Sequence, residues 1–158
     1  MSERILIPLD GSKVGETALL HVEELVLKLS ARIKKEVTLL QVITSLTHYA
    51  IDVETSTFVP YTEEEIEQIK KKARDYLDKA GEGLRSKGIT VNSEVRAGNA
   101  AEEIIKVAQE INADMVAMST HGRSGISRWA LGSVTEKVLR KGNVPLLVIR
   151  APRETTKT

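Results

Sequence analysis

Apolar residues in this chain follow two alternating rhythms. Five short runs are dense in Val, Ile and Leu: RILIPL at 4–9, VTLLQVI at 37–43, ITVNSEV at 89–95, DMVAMST at 114–120 and VPLLVIR at 144–150. Their length and β-branched content predict strands. The first, second, fourth and fifth are almost continuously apolar, the pattern of strands covered on both faces of a parallel sheet. ITVNSEV alternates and suits an edge.

Between these runs the period becomes helical. Val14, Ala18, Val22, Leu25 and Leu29 recur at three and four residues and predict a first helix from about 13 to about 33. Ile66, Ile69, Ala73, Leu77, Ala80 and Leu84 predict a second, with Thr62 and Glu65 as a capping box and Gly88 as its stop. Asn99 with Glu102 repeats that start signal ahead of Ile104, Ile105 and Ala108. A last helix is expected to begin at Gly132 or Ser133 and to end near Gly142. Strict alternation of strand and helix forces right-handed crossovers, so the expected class is α/β with a five-stranded, doubly wound parallel sheet. Residues 44–61 are the one long connection, polar through Thr47, Asp52, Glu54, Thr55 and Ser56, and are expected to be a mobile or functional loop. Residues 1–150 read as one domain and 151–158 as a frayed tail.

Composition narrows the function. The chain has 158 residues, 41% hydrophobic and 28% charged, enough for one core and unlike a disordered segment. Lys plus Arg (23) nearly balances Asp plus Glu (22), leaving no global field to attract nucleic acid or an anionic membrane, so any anion site must be local. The absence of cysteine excludes disulfides, thiolate metal sites and a cysteine nucleophile, and His21, His48 and His121 are too scattered for a zinc cluster. The first apolar run is broken by Pro8 and Asp10 and lacks a signal peptide's apolar core, and no run approaches the roughly 18 apolar residues of a spanning helix. A soluble, cytoplasmic protein is expected.

In a doubly wound sheet, ligands bind beyond the carboxyl ends of the strands. Two strand ends are unusual here: PLDGS after the first and STHGRSGISRWALGSVTEKV after the fourth. In the latter, Gly122 follows the strand, Gly125 comes three residues on, and Gly132 with Ser133 opens a helix. Glycines let backbone N–H groups approach an anion, and a helix start offers unpaired donors at the positive end of its dipole. Ser133 and Thr135 add hydroxyls, and Arg123, Arg128 and Lys137 add positive charge. The loop is not a Walker A sequence, and no G-x-G-x-x-G follows the first strand. On these grounds alone a plain connection is an equally good reading of the glycines. Asp10 reads as the one acid at its strand end or as a turn-former in Asp-Gly. His121 reads as structural, Trp129 as packed beneath the loop, and His48 and Tyr49 as surface. Glu63, Glu64 and Glu65 followed by Lys70, Lys71 and Lys72 read as a solvated helix face that complements the dipole.

The spacing of Gly122, nine residues, then Gly132-Ser133, with HGRSG and LGSVTEKVL around it, closely resembles the ATP-binding class of universal stress proteins. ILIPLDGS, LLQVI, AAEEIIKVA after RAGN, and NVPLLVIR extend the resemblance over nearly the whole chain. One residue departs: Ser119 stands where the motif has its first glycine. The resemblance implies a Rossmann-like, adenine nucleotide alpha hydrolase-like sheet of order 3-2-1-4-5 that binds ATP with Mg2+ or Mn2+. It implies that Pro8, Asp10 and the backbone at Val42 and Met118 frame adenine and ribose, with Ser119 beside the ribose. Gly122, Gly132, Ser133, Val134 and Thr135 would hold the phosphates, with Asp10 approaching the metal. It further implies a homodimer through the last strand, 144–150, from Val144 at its start to Arg150 at its end.

Three functions follow for comparison. The first is a nucleotide-dependent regulatory module in a stress response, read by a protein partner. The second is a slow ATPase at the same site, for which no convincing base is present. The third is a structural dimer without nucleotide, against which Gly122, Gly132 and Ser133 argue. Adenylyl transfer would need an HxGH pair or an SGGxDS loop, and the chain has neither.

Overall fold

The computed structural model describes residues 2–51, 56–120 and 131–152, with side chains placed outside 48–56. Five parallel strands form the main sheet: β1 (Ser2–Pro8), β2 (Lys34–Ile43), β5 (Thr90–Ala97), β6 (Met115–Thr120) and β7 (Leu146–Arg150). β3 (Thr47–Ile51) and β4 (Ser56–Pro60) form a separate antiparallel pair. The helices are α1 (Lys13–Lys28), α2 (Glu63–Ala80), α3 (Glu82–Ser86), α4 (Ala100–Glu110) and α5 (Ser133–Lys141).

The main sheet has the order β5-β2-β1-β6-β7. Counted over its own strands this is the expected 3-2-1-4-5, and the inserted hairpin accounts for the shifted labels. Alternate strand residues face opposite layers. Ile5, Ile7, Val37, Leu39 and Ala117 pack under α1, α2 and α3, against Val22, Leu77 and Leu84. Leu6, Leu40, Val116 and Met118 pack under α4 and α5, against Ile104, Val107 and Val138. Burial on both faces is what the near-continuous apolar runs predicted. β5, the alternating run, is an edge, and β7 is the other.

The local start signals are realised. Thr62 accepts from Glu65 N at 3.2 Å while Glu65 Oε2 accepts from Thr62 N at 2.7 Å, completing the capping box of α2. Asn99 caps α4 through Glu102 N at 3.2 Å. α5 runs between Gly132 and Gly142 as its two caps.

Three expectations need correction. The first helix ends at Lys28, short of residue 33: Leu29 turns extended, and residues 29–33 must reverse the chain so that Lys34 can pair with Ser2. The second periodic stretch is two helices, broken at Gly81. A Cβ there would lie 2.9 Å from Val91 Cγ1, so a side chain at this position would force Val91 on β5 to shift, and Gly88 at φ +76 closes α3. The long connection contains an antiparallel strand pair, 47–51 with 56–60: Thr47, Tyr49 and Ile51 with Thr57, Phe58 and Val59 have the β-branched and aromatic content of paired strands. At the other terminus, Ala151 is still buried and its N–H reaches Thr120 O at 3.0 Å. The tail from residue 153 lies outside the described residues.

Candidate functional site

The sheet opens at its carboxyl end between β1 and β6. β1 pairs with β2 from Ser2↔Lys34 to Pro8↔Leu40, and β6 pairs with β7 from Val116↔Leu146 to Thr120↔Arg150. Between β1 and β6, pairing is confined to Ile5↔Met115 and Leu6↔Val116. From β1 the chain crosses to β2 under α1, whereas β6 connects to β7 under α5 on the opposite face. The two strands therefore part at the topological switch point, where an open α/β sheet offers a crevice.

On the β1 side, Pro8 is half-buried and Asp10 is exposed. Asp10 Oδ1 accepts from Ser12 N at 2.9 Å and Ser12 Oγ at 2.5 Å, while Ser12 Oγ in turn accepts from Gly15 N at 3.2 Å to cap α1. Gly11, at φ +84, makes the turn between them. Asp10 is thus the turn-former of Asp-Gly, with both of these bonds on one carboxylate oxygen. Gly15 gives it room: a Cβ there would stand 3.1 Å from Asp10 Oδ1. Gly15 was not read as a site residue, although a glycine inside a helical pattern is the signal that marks such an approach. Tyr76 on α2 donates to Glu16 Oε1 at 3.1 Å. Burial first, then the charge of Glu16, their hydrogen bond and the charge of Asp10 hold its hydroxyl protonated well above the ordinary tyrosine range.

On the β6 side, Ser119 shares the parity of Ala117 and turns toward α1. Its Oγ accepts from Ala18 N at 2.8 Å and donates to Gly15 O at 3.2 Å. The hydroxyl therefore ties β6 to α1 across the opening, and the side chain lies away from the layer that holds Met118. Val42, Met118 and Val134 meet in that other layer, in one apolar cluster under α4 and α5.

α5 supplies the donors. Its first intrahelical bond is Glu136 N to Gly132 O at 2.9 Å, so the N–H groups of Ser133, Val134 and Thr135 precede the ladder. Among the described residues no side chain caps them, in contrast to α1, α2 and α4. Gly132 has φ −56 and ψ 154, which any residue adopts, and an added Cβ would meet nothing closer than Thr135 Oγ1 at 4.0 Å among the described residues. Neither backbone nor neighbours require glycine there. Ser133 is exposed, Val134 half-buried and Thr135 buried, so Thr135 offers its backbone more readily than its hydroxyl. Beside this helix start lies a cleft of about 500 Å3, between the N-termini of α4 and α5, lined by Thr44, Gly98, Asn99, Ser133, Val134 and Lys137. Thr44 and Asn99 are lining residues that sequence reasoning missed as such. His121, Gly122, Arg123, Gly125, Arg128 and Trp129 lie outside the described residues.

The donors present fit an anion: N–H groups that no described side chain caps, with Lys137 beside them and the half-buried Val42 and Val134 packed on the core around Met118. Among the described residues no three His, Asp or Glu side chains gather as a metal cage. A divalent ion here would take most of its ligands from phosphate oxygens and water. No helix among the described residues is long and apolar enough to cross a membrane.

Comparison with known proteins supplies the relatives. Residues 1–150 match the model of the universal stress protein family. Universal stress protein MJ0577 of Methanocaldococcus jannaschii is 31% identical over 160 residues, spanning 95% of this chain and 96% of that one. MJ0531 of the same organism is 29% identical over 155 residues, spanning 96% and 84%. The solved structure of MJ0577 superposes with a TM-score of 0.71 at 28% identity, covering 96% of this chain and 98% of that chain. A family protein from Arabidopsis thaliana, solved with AMP bound, shares the fold at a TM-score of 0.66 and 14% identity, covering 99% and 96%. The chain belongs to the universal stress protein family.

Proposed function

We infer that this chain is an ATP-binding regulatory module of the stress response, with the nucleotide lying across the crevice between β1 and β6. The observation that carries this reading is the start of α5: three N–H groups that no described side chain caps, behind a glycine that neither its backbone angles nor its described neighbours require. Ser133, Val134 and Thr135 hold the phosphates through those groups, with Gly132 leaving the space. Gly122 contributes from the segment outside the described residues. Val42 and Met118 bound the adenine, with Pro8 and Asp10 on the β1 side and the Ser119 backbone beside the ribose. Mg2+ or Mn2+, if bound with the nucleotide, would neutralise phosphate charge, with Asp10 the residue to hold it directly or through water. AMP in the Arabidopsis relative supports an adenine nucleotide as the ligand class.

The protein acts in the cytoplasm as a homodimer joined through the free edge of β7, and a partner protein reads the nucleotide state. Acid extraction of purified protein, with the released nucleotide identified by chromatography and mass, tests the reading. ATP or ADP near one equivalent per chain is expected. Protein that carries no nucleotide, and shows no thermal shift with added ATP and magnesium, would overturn it.

A further inference from the structure

The hairpin β3–β4 has no part in the nucleotide reading, and its composition sets it apart. Neither strand, Thr47–Ile51 or Ser56–Pro60, contains an acid, a lysine or an arginine. Solvent-facing sheet edges are ordinarily blunted by Lys, other charges, bulges or proline. Here only Pro60 does so, at the last position. Among the described residues the two strands pair with each other and with no third strand. A lone two-stranded hairpin is marginal in water and becomes stable when a third strand or a cover is added. Phe58 is 74% exposed, and Val59 and Leu46 are exposed with it. Tyr49, Phe58 and Tyr61 place most of the chain's few aromatic residues in this one segment.

Charge indicates what would be added. From residue 36 to residue 69 the sequence contains no Lys or Arg. Asp52 and Glu54 lie between the two strands in sequence, and Glu63, Glu64 and Glu67 are exposed where α2 begins. Tyr61 N donates to Leu46 O at 2.9 Å, closing the base of the hairpin next to that acidic helix start. Two copies pairing along this segment would bring a stretch with acids and no base against its like, and like charges across a pairing are unfavourable. A strand carrying basic residues meets opposite charge at Glu63 and Glu64, where α2 begins.

We propose that β3–β4 is a strand-addition site for an extended segment of a partner protein, with Lys or Arg flanking β-branched or aromatic residues. Backbone hydrogen bonds along the open edge give affinity, and alternate side chains against Phe58 or Val59 give selectivity.

Random peptides displayed on phage, selected against the whole chain and followed by synthesis of the best binder, test the proposal. The selected sequences should be rich in Lys and Arg. Phe58→Lys should weaken the synthetic peptide at least about tenfold, with its urea midpoint unchanged, and Val59→Lys should act in the same direction. Bound peptide should slow amide exchange within Thr47–Ile51 or Ser56–Pro60. Neutral or acidic selected sequences would overturn the proposal, as would slowed exchange confined to other elements. Hairpin amides slowed by raising protein concentration without peptide would assign the edge to a second copy, and amides slowed by ATP and magnesium alone would assign it to closure over the crevice. Either result also overturns it.

Discussion

Replacing Ser119 by Ala removes one oxygen and two hydrogen bonds that span the opening of the sheet: 2.8 Å from Ala18 N and 3.2 Å to Gly15 O. Both partners are backbone groups of α1, and the contact is part-buried, so water replaces the hydroxyl only in part. Losing both bonds of this part-buried hydroxyl costs about 1–2 kcal/mol. In a domain of this size that lowers Tm by about 2–8 °C. Urea unfolding followed by circular dichroism measures the loss directly, and Ser119→Thr, which keeps the hydroxyl, should restore part of it. Ser119→Gly should cost at least as much, since it also frees the backbone of β6 in the unfolded chain. Because the side chain faces α1 and not the Val42–Met118–Val134 layer, Ser119→Gly should change ATP affinity by less than about threefold. Ser119→Ala and Ser119→Gly both within about 0.5 kcal/mol of wild type, the range of ordinary surface changes, would refute the bridge to α1. A large affinity gain in Ser119→Gly would refute the orientation of the side chain.

Other expectations follow from single contacts. Thr62→Ala breaks one arm of the capping box and should cost about 1 kcal/mol in urea unfolding, with Asn99→Ala giving a similar loss at α4. Tyr76 has its folded pKa raised above 10.0, so its contribution is fully present below that pH and lost as pH rises past it. Between pH 9 and 12 the urea midpoint of wild type should therefore fall more steeply than that of Tyr76→Phe, and parallel slopes would remove Tyr76 from the account. Leu77→Ala, at a fully buried site between α2 and the sheet, should cost about 2–5 kcal/mol.

What could be read from the sequence was local or periodic. Glu65 lies three residues from Thr62, and Glu102 three from Asn99, so the caps of α2 and α4 needed no tertiary information. The sheet order followed from buried runs alternating with amphipathic ones, together with the family resemblance. What escaped depended on distant neighbours or short runs. The turn of Ser119 toward α1 is set by Gly15 and Ala18, about a hundred residues away. The close approach of Gly81 to Val91 on β5 is likewise tertiary. Helical period carried on through Leu29 to Ile33, but strand pairing from Lys34 ended the helix first. The hairpin strands are five residues each, and the polar residues between and around them masked their alternation.

Gly132→Val tests the central claim most directly. The backbone at Gly132 suits valine, and the nearest described atom to an added Cβ is 4.0 Å away, so the fold should tolerate the change while the space in front of the α5 N–H groups is filled. Thermal unfolding of wild type with ATP and magnesium at a hundredfold excess over Kd should show stabilisation of about 2.7 kcal/mol. The account predicts that Gly132→Val, with an unchanged Tm in the absence of nucleotide, loses that stabilisation. An equal shift in both proteins would place the phosphates elsewhere and contradict it.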